Sequence, residues 1–256
     1  MPSTRTVGPW FQSVRISFVN EVDWGRVEVL TFDCYGTLID WETGILIALR
    51  RVIASHVAAD DELLEAYAGQ EAAAEAGAWK PYREILGESM VEVCRRYGVA
   101  PSAEDHAKFG ASVADWPAFP DSVDALTRLK SRFRLGVITN CDDDLFAFSN
   151  ARLGEPFEWV VTAQQAMSYK PSTRNFELAF ERIDRPRVSI VHVAQSLYHD
   201  HVPAKALGLK TVWINRRHGR SGAGATPPAA GQPDATFPDM VSFARAALAT
   251  KGRRVP

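Results

Sequence analysis

Along residues 27–32 the chain reads Val-Glu-Val-Leu-Thr-Phe, a β-branched and apolar run that stops at Asp33. A short run of this kind, ended by a polar residue, predicts a buried strand that delivers Asp33 at its C-terminal tip. From Gly44 the spacing changes: Ile45, Leu46, Leu49, Val52 and Ile53 fall on one face of a predicted helix. The Ala- and Glu-rich residues 61–77 predict a second helix, and residues 82–97, with Ile85, Met90, Val91 and Val93 among charges, a third. No strand pattern interrupts residues 44–113. After Trp116-Pro117-Ala118-Phe119-Pro120 the pattern alternates. It predicts a helix near 121–131, strand Leu135–Thr139, a helix near 142–153, a strand near 158–162, helix 173–183, strand 188–194, helix 200–207 and strand 210–214. Alternation on this scale implies right-handed βαβ crossovers. The fold class expected is therefore α/β, a doubly wound, mostly parallel, Rossmann-like core sheet with an inserted all-helical cap. The core is expected at 26–43 and 114–250, the cap at 44–113, an extension at 1–25 and a tail at 251–256. Residues 219–236, rich in Gly, Ala and Pro, predict a mobile loop before a last helix near 240–250.

Composition narrows the classes of partner. The 256 residues are 46% hydrophobic and 23% charged, with a formal net charge of -2, so nothing favours a polyanion and no nucleic-acid partner is expected. No run approaches the roughly 20 apolar residues that span a bilayer, so neither a signal peptide nor a membrane anchor is expected. Cys34, Cys94 and Cys141 lie far apart without metal-binding or disulfide spacing. The expected compartment is the cytoplasm.

In open parallel sheets the ligand crevice lies beyond the carboxyl ends of the strands. Four polar segments follow predicted strands: Asp33-Cys34-Tyr35-Gly36-Thr37, Thr139-Asn140, Lys170-Pro171 and Ala194-Gln195-Ser196-Leu197-Tyr198-His199-Asp200. Each has a local explanation as well. Asp33 and Thr37 suit a turn, Thr139 and Asn140 a helix N-cap, Asp200 a further N-cap, and Tyr35 packing beneath a cap. Gly36 suits close backbone approach. Asp142, Asp143 and Asp144 read as favourable charge in a helix's first turn. The two histidines flanking Asp200 do not face one centre as neighbours on a helix start.

In order and spacing the four segments resemble the four motifs of the haloacid dehalogenase superfamily, over roughly residues 27–217. The Asp33-x-Tyr35-Gly36-Thr37-Leu38 and Tyr169-Lys170-Pro171 forms look like its 2-haloacid dehalogenase branch. That resemblance implies a hydrolase in which Asp33 attacks an electrophilic centre and the resulting ester is opened by water. It implies that Thr37, Lys170 and Asp200 complete the catalytic set, with Lys170 keeping Asp33 ionised and Asp200 orienting Lys170 or activating water. Tyr35, Thr139, Asn140, Ser196 and His199 would meet a small anionic substrate, His199 as a pocket wall. Ser196 and Tyr198 read equally as turn residues. Phosphatases of the superfamily place a second Asp where this chain has Tyr35. Halide needs no proton on leaving, so the absence of that acid fits carbon–halogen cleavage better than phosphate ester cleavage.

Three departures bear on the chemistry. Gln195 stands at the first of the two acidic positions that hold Mg²⁺ in phosphatases, leaving Asp33 and Asp200 as the carboxylates for such an ion. No cofactor is required in the dehalogenase reading, and Mg²⁺ belongs to the phosphatase alternative. Leu197 replaces an asparagine, and the stretch Tyr67-Ala68-Gly69-Gln70-Glu71 lacks the arginine that receives halide in family dehalogenases. Trp79, Lys80, Tyr82 and Arg83 offer a substitute cradle, beside their plainer reading as an ordinary amphipathic cap segment. The expected function is hydrolytic dehalogenation of small 2-haloacids. The alternatives are a Mg²⁺-dependent phosphatase of small phosphorylated metabolites and a catalytically lapsed small-acid binding protein. A homodimer is a reasonable expectation.

Overall fold

The structure is a computed structural model describing residues 22–220, 222 and 224–249. Residues 1–21 of the expected extension and the whole expected tail, 251–256, lie outside the described residues. Six parallel strands form one sheet in the order β3-β2-β1-β4-β5-β6: β1 (Val29–Phe32), β2 (Arg134–Thr139), β3 (Trp159–Thr162), β4 (Ile190–Ala194), β5 (Lys210–Ile214) and β6 (Ala235–Phe237). β1 pairs with β2 on one side and β4 on the other, with Phe32 opposite both Val137 and Val193. The strand order reverses between β1 and β4, which sets a crevice beyond their carboxyl ends.

Both faces of the sheet are covered, so its central strands are buried along their length. Leu30 and Phe32 point to the larger core, where Phe32 meets Phe157 and Phe243. Val29 points to the second core, with Ile138, Val161, Phe176 and Ile190. Helices α5 (Ser122–Lys130), α6 (Asp143–Arg152), α7 (Ala163–Ala166), α8 (Arg174–Ile183), α9 (Val202–Ala206) and α10 (Met240–Ala249) follow the strands. α10 packs on α5, and Trp24, just before β1, closes that layer against Phe133 and Phe243.

Between β1 and β2 lie α1 (Trp41–Leu49), α2 (Asp60–Glu75), α3 (Tyr82–Arg96) and α4 (Ala103–Ala111), a helical cap in which α3 packs on α2 and α4. α1 starts three residues earlier than its apolar pattern predicts, because Asp40 accepts the Thr43 backbone N–H and caps it. The predicted loop at 219–236 is corrected at its end: Ala235–Phe237 forms β6, paired with β5. Three residues are too few to show a two-residue period, so Gly and Pro dominated the pattern. The predicted helix 200–207 begins instead as a π-helical turn, Leu197–His201, before α9. Among the described residues no helix is long and apolar enough to cross a membrane, and the three cysteines are buried and free.

Candidate active site

Asp33 leaves β1 with its N–H still bonded to the Val193 carbonyl of β4, so the sheet itself aims its side chain into the crevice. The turn that follows closes on Cys34, whose carbonyl accepts the N–H groups of Thr37, Leu38 and Ile39. Gly36 has φ +86°, and a Cβ there would lie 2.9 Å from Trp41 Nε1 and 3.2 Å from Gln195 Oε1, so both the backbone and the space require glycine. Thr37 Oγ1 donates to Asp33 Oδ2 at 2.6 Å while accepting the Gln195 N–H at 2.9 Å, which fixes the direction of the hydroxyl. From the segment just after β5, Arg216 donates to the Thr37 carbonyl and pairs with Asp121, holding the turn from behind.

Lys170 is brought in after α7 and is 1% exposed. Its ammonium donates to Asp33 Oδ1 at 2.9 Å, Asp200 Oδ1 at 2.6 Å and the Ile138 carbonyl at 2.8 Å, which uses all three of its protons. Burial opposes the lysine's charge, but the two carboxylates outweigh it and raise its pKa. Burial likewise opposes the charge of Asp200, and Lys170 with His192 reverses that, holding its carboxyl below the usual range. For Asp33 burial wins: its carboxyl is raised, with Lys170 and Thr37 working the other way. His192, on β4 opposite Thr31 in the register, bridges Thr31 Oγ1 and Asp200 Oδ1 at 2.9 and 3.0 Å.

Lys170 between the two carboxylates also bears on the fit of Mg²⁺. Asp33 and Asp200 converge on the same ammonium, Gln195 Oε1 accepts from Thr226, and among the described residues no three His, Cys, Asp or Glu side chains are placed to hold a metal. Asp33 and Asp200 thus share the lysine as their common cation through Oδ1 of each, and Asp200 Oδ2 is left without a partner.

Of the histidines around Asp200, His199 faces the cavity and His201 does not. His201 Nε2 meets the Ala194 carbonyl, and burial lowers its pKa to about 4, so it is a neutral structural side chain. His199 Nδ1 lies 3.2 Å from Ser196 Oγ, which also accepts the His199 N–H. Burial opposes its charge, but Glu75 Oε2, 3.4 Å from Nε2, prevails and raises its pKa.

A cavity of about 20 Å³ joins these groups, lined by Asp33, Lys170, Asp200, Asn140, Ser196 and His199 below, with Tyr35, Trp41, Tyr82, Glu71 and Glu75 completing the walls. That volume holds about one water molecule. Tyr35 stacks toward Tyr82 and meets Trp116 edge-on, while its hydroxyl is taken by Cys141 Sγ and Ser149 Oγ. Tyr35 thus has both the cavity position and the packing role that its sequence position allowed. Thr139 Oγ1 and Asp200 Oδ2 are buried without a hydrogen-bond partner.

Several expected roles change. The Asn140 side chain holds both backbone groups of Lys170, accepting its N–H and donating to its carbonyl, and also donates to Glu75 Oε1. It lines the cavity, but its amide is committed to placing the lysine. Asp142 does more than charge a first turn: its carboxylate accepts the N–H groups of Tyr82 and Arg83, capping α3 from the core side. Of the four candidate substitutes for a cap arginine, only Tyr82 reaches the cavity. Lys80 pairs with Glu88, Arg83 with Asp142 and Asp144, and Trp79 lines a neighbouring cleft.

Glu71 and Glu75 went unforeseen, although a signal existed. Glu71 lies on the α2 stripe of Leu63, Leu64, Tyr67 and Ala68, where a solvated glutamate does not belong. His192 and Arg216 had no local signal, since each is defined by a partner on another element.

The haloacid dehalogenase-like hydrolase family matches residues 27–206. An (S)-2-haloacid dehalogenase of Pseudomonas putida is 24% identical over 147 residues, 56% of this chain and 64% of that one, so the match spans less than two thirds of the relative. A pyrimidine 5'-nucleotidase of Escherichia coli is 25% identical over 135 residues, 52% of this chain and 60% of that one. The L-2-haloacid dehalogenase structure from Xanthobacter autotrophicus superposes with a TM-score of 0.73 at 16% identity, covering 86% of this chain and 97% of that one, which shows a shared fold. With most of its core and the whole cap inside the family match, and a strand-end aspartate bonded by both a threonine and a lysine, the chain belongs to the haloacid dehalogenase-like hydrolases.

Proposed function

We propose that this hydrolase dehalogenates small 2-haloacids through an ester on Asp33. The carrying observation is the contrast between an intact nucleophile set and the residue two positions on. Asp33 is held by Lys170 and Thr37, whereas Tyr35 offers no carboxyl and its hydroxyl is engaged by Cys141 and Ser149. An alkoxide leaving group would lose the acid that this position supplies in phosphatases, a contribution typically about 10²–10⁴-fold. Halide leaves without a proton.

In this reading the Asp33 carboxylate attacks C2 of the haloacid. The new C–O bond forms as the carbon–halogen bond breaks, inverting C2, and the electron pair leaves on the halide. Water then adds to the Asp33 carboxyl carbon, the acyl C–O bond breaks, and the 2-hydroxy acid departs with Asp33 regenerated. Lys170 stabilises the carboxylate before attack and the oxyanion during hydrolysis. In this reading Asp200, whose Oδ2 has no partner, takes the proton of that water, which the lack of a partner supports. A cavity of about 20 Å³ admits such a substrate only when the cap and core part, as lids commonly do.

The test is chloride release from both enantiomers of 2-chloropropionate, with and without Mg²⁺, beside Asp33→Asn. Metal-independent release that vanishes in the variant is expected. A single turnover in ¹⁸O-water should place the label in Asp33 before it reaches the product. Label appearing directly in the hydroxy acid would remove the ester intermediate, and ligand binding without turnover by the wild type would leave a binding protein.

A further inference from the structure

We propose that Glu71 is the leaving-group donor of this site: its carboxyl, with a proton on Oε2, hydrogen-bonds the halide as the C2–halogen bond breaks. The inference deepens the dehalogenase reading and rests on it for the identity of the leaving atom.

Glu71 is 2% exposed and lines the same small cavity as Asp33, so a ligand in reach of one is in reach of the other. Its Oε1 accepts the hydroxyls of Tyr67 and Tyr82 at 3.0 and 2.8 Å. Two donors on Oε1 leave Oε2 to carry a proton. Glu75, one helical turn further along α2, is the like charge beside it, and two buried neighbouring carboxyls do not both ionise. Glu75 lies beside nitrogen groups that Glu71 lacks, the Asn140 amide, which donates to Oε1 at 3.1 Å, and His199 Nε2 at 3.4 Å from Oε2. Glu71 has only phenol hydroxyls on Oε1, so the proton belongs to Glu71.

The groups facing Glu71 are Glu75 and Tyr67 from its own helix, Tyr82 from α3 and His199 from the turn after β4. Burial and then Glu75 push its carboxyl up to about 8, while Tyr82, His199 and Tyr67 pull the other way. A carboxylic acid kept neutral by an apolar site so that it can donate a hydrogen bond is a known catalytic device. Among the described residues that line the cavity, Trp41 offers a neutral indole N–H from α1, and Glu71 is the carboxyl donor on the α2 side. Lys170 has used its protons below, Lys80 and Arg83 are paired elsewhere, and His199 is paired with Glu75. During displacement the proton stays on Oε2, the electron pair of the broken bond resides on the halide, and no other reactant is needed.

Binding of bromide to the full-length protein tests this without requiring turnover. Apparent affinity is read from bromide-dependent melting shifts against sulfate at matched ionic strength, at about pH 6 and about pH 9.5. The wild type should bind about tenfold or more tightly at the lower pH, because Glu71 ionises between them. Glu71→Gln, whose amide is a donor at every pH, should lose most of that pH dependence, the remainder following the charge of His199 in the same wall, and Glu71→Ala should bind at neither pH. Tyr82→Phe removes one donor to the carboxylate and should carry tight binding to higher pH. Wild-type affinity that is the same at both pH values, bromide binding that survives in Glu71→Ala, or no binding at all would overturn the proposal. If the expected pattern appears while 2-chloropropionate is inert with the wild type, Glu71 is a halide-binding donor only, and both its leaving-group role and the dehalogenase reading fall.

Discussion

Thr37 is the residue on which the nucleophile turn closes. Its hydroxyl gives its proton to Asp33 and takes one from the Gln195 backbone. Thr37→Val keeps the shape but leaves a buried N–H and a carboxylate oxygen short of a partner, costing about 1–3 kcal/mol. It should lower kcat by about ten- to a hundredfold, and Thr37→Ser should restore most of it. Glu71 makes a separate prediction for stability. Its folded pKa, about 8, lies above the ordinary 4.5, so the folded state binds this proton more tightly than the unfolded chain. The resulting stabilisation is complete below about pH 4.5, fades as pH rises and is gone above about pH 8. Chemical denaturation should therefore show wild-type stability falling across that window by on the order of a few kcal/mol relative to Glu71→Gln. Parallel curves for the two proteins would mean that Glu71 is not held neutral.

At the scale of elements, the joint between cap and core is a helix terminus. α3 begins after Pro81, and its first N–H groups find their acceptor in Asp142, which comes from the start of α6. Asp142→Ala should cost about 1–2 kcal/mol, as loss of a capping side chain does, measurable as a lower urea midpoint. Asn140 and Tyr169 add cross-links of the same kind, to Glu75 and to the Lys80 carbonyl. Existence and order of the strands and of the first three cap helices were legible because apolar periodicity is a property of neighbours along the chain. The start of α1 was misplaced because Asp40, a capping residue, lies outside the apolar stripe. β6 was missed because a three-residue edge strand carries no measurable period.

Across the whole molecule, stability should follow position in the sheet. β1 and β4 are central and covered on both faces, whereas β3 and β6 are the edges. Amide exchange of Leu30–Asp33 and Val191–Val193 should therefore be the slowest, approaching global unfolding, with the cap helices exchanging sooner. Saturating 2-hydroxy acid should slow exchange in α2 and α3 if the cap closes on product. Uniform exchange across cap and core would contradict an independently opening cap. The sequence by itself determined the parallel α/β plan and the placing of Asp33, Thr37, Lys170 and Asp200 in segments that follow strands, because period, turn chemistry and motif spacing are local. Tertiary structure alone decided what faces them. It turned the Asn140 amide onto Lys170, spent Lys80 and Arg83 on other acids, and set Glu71 and Glu75 in the cavity wall. The reason is that a carboxyl's protonation and a side chain's free donors depend on burial and on partners tens of residues away, which no local pattern records.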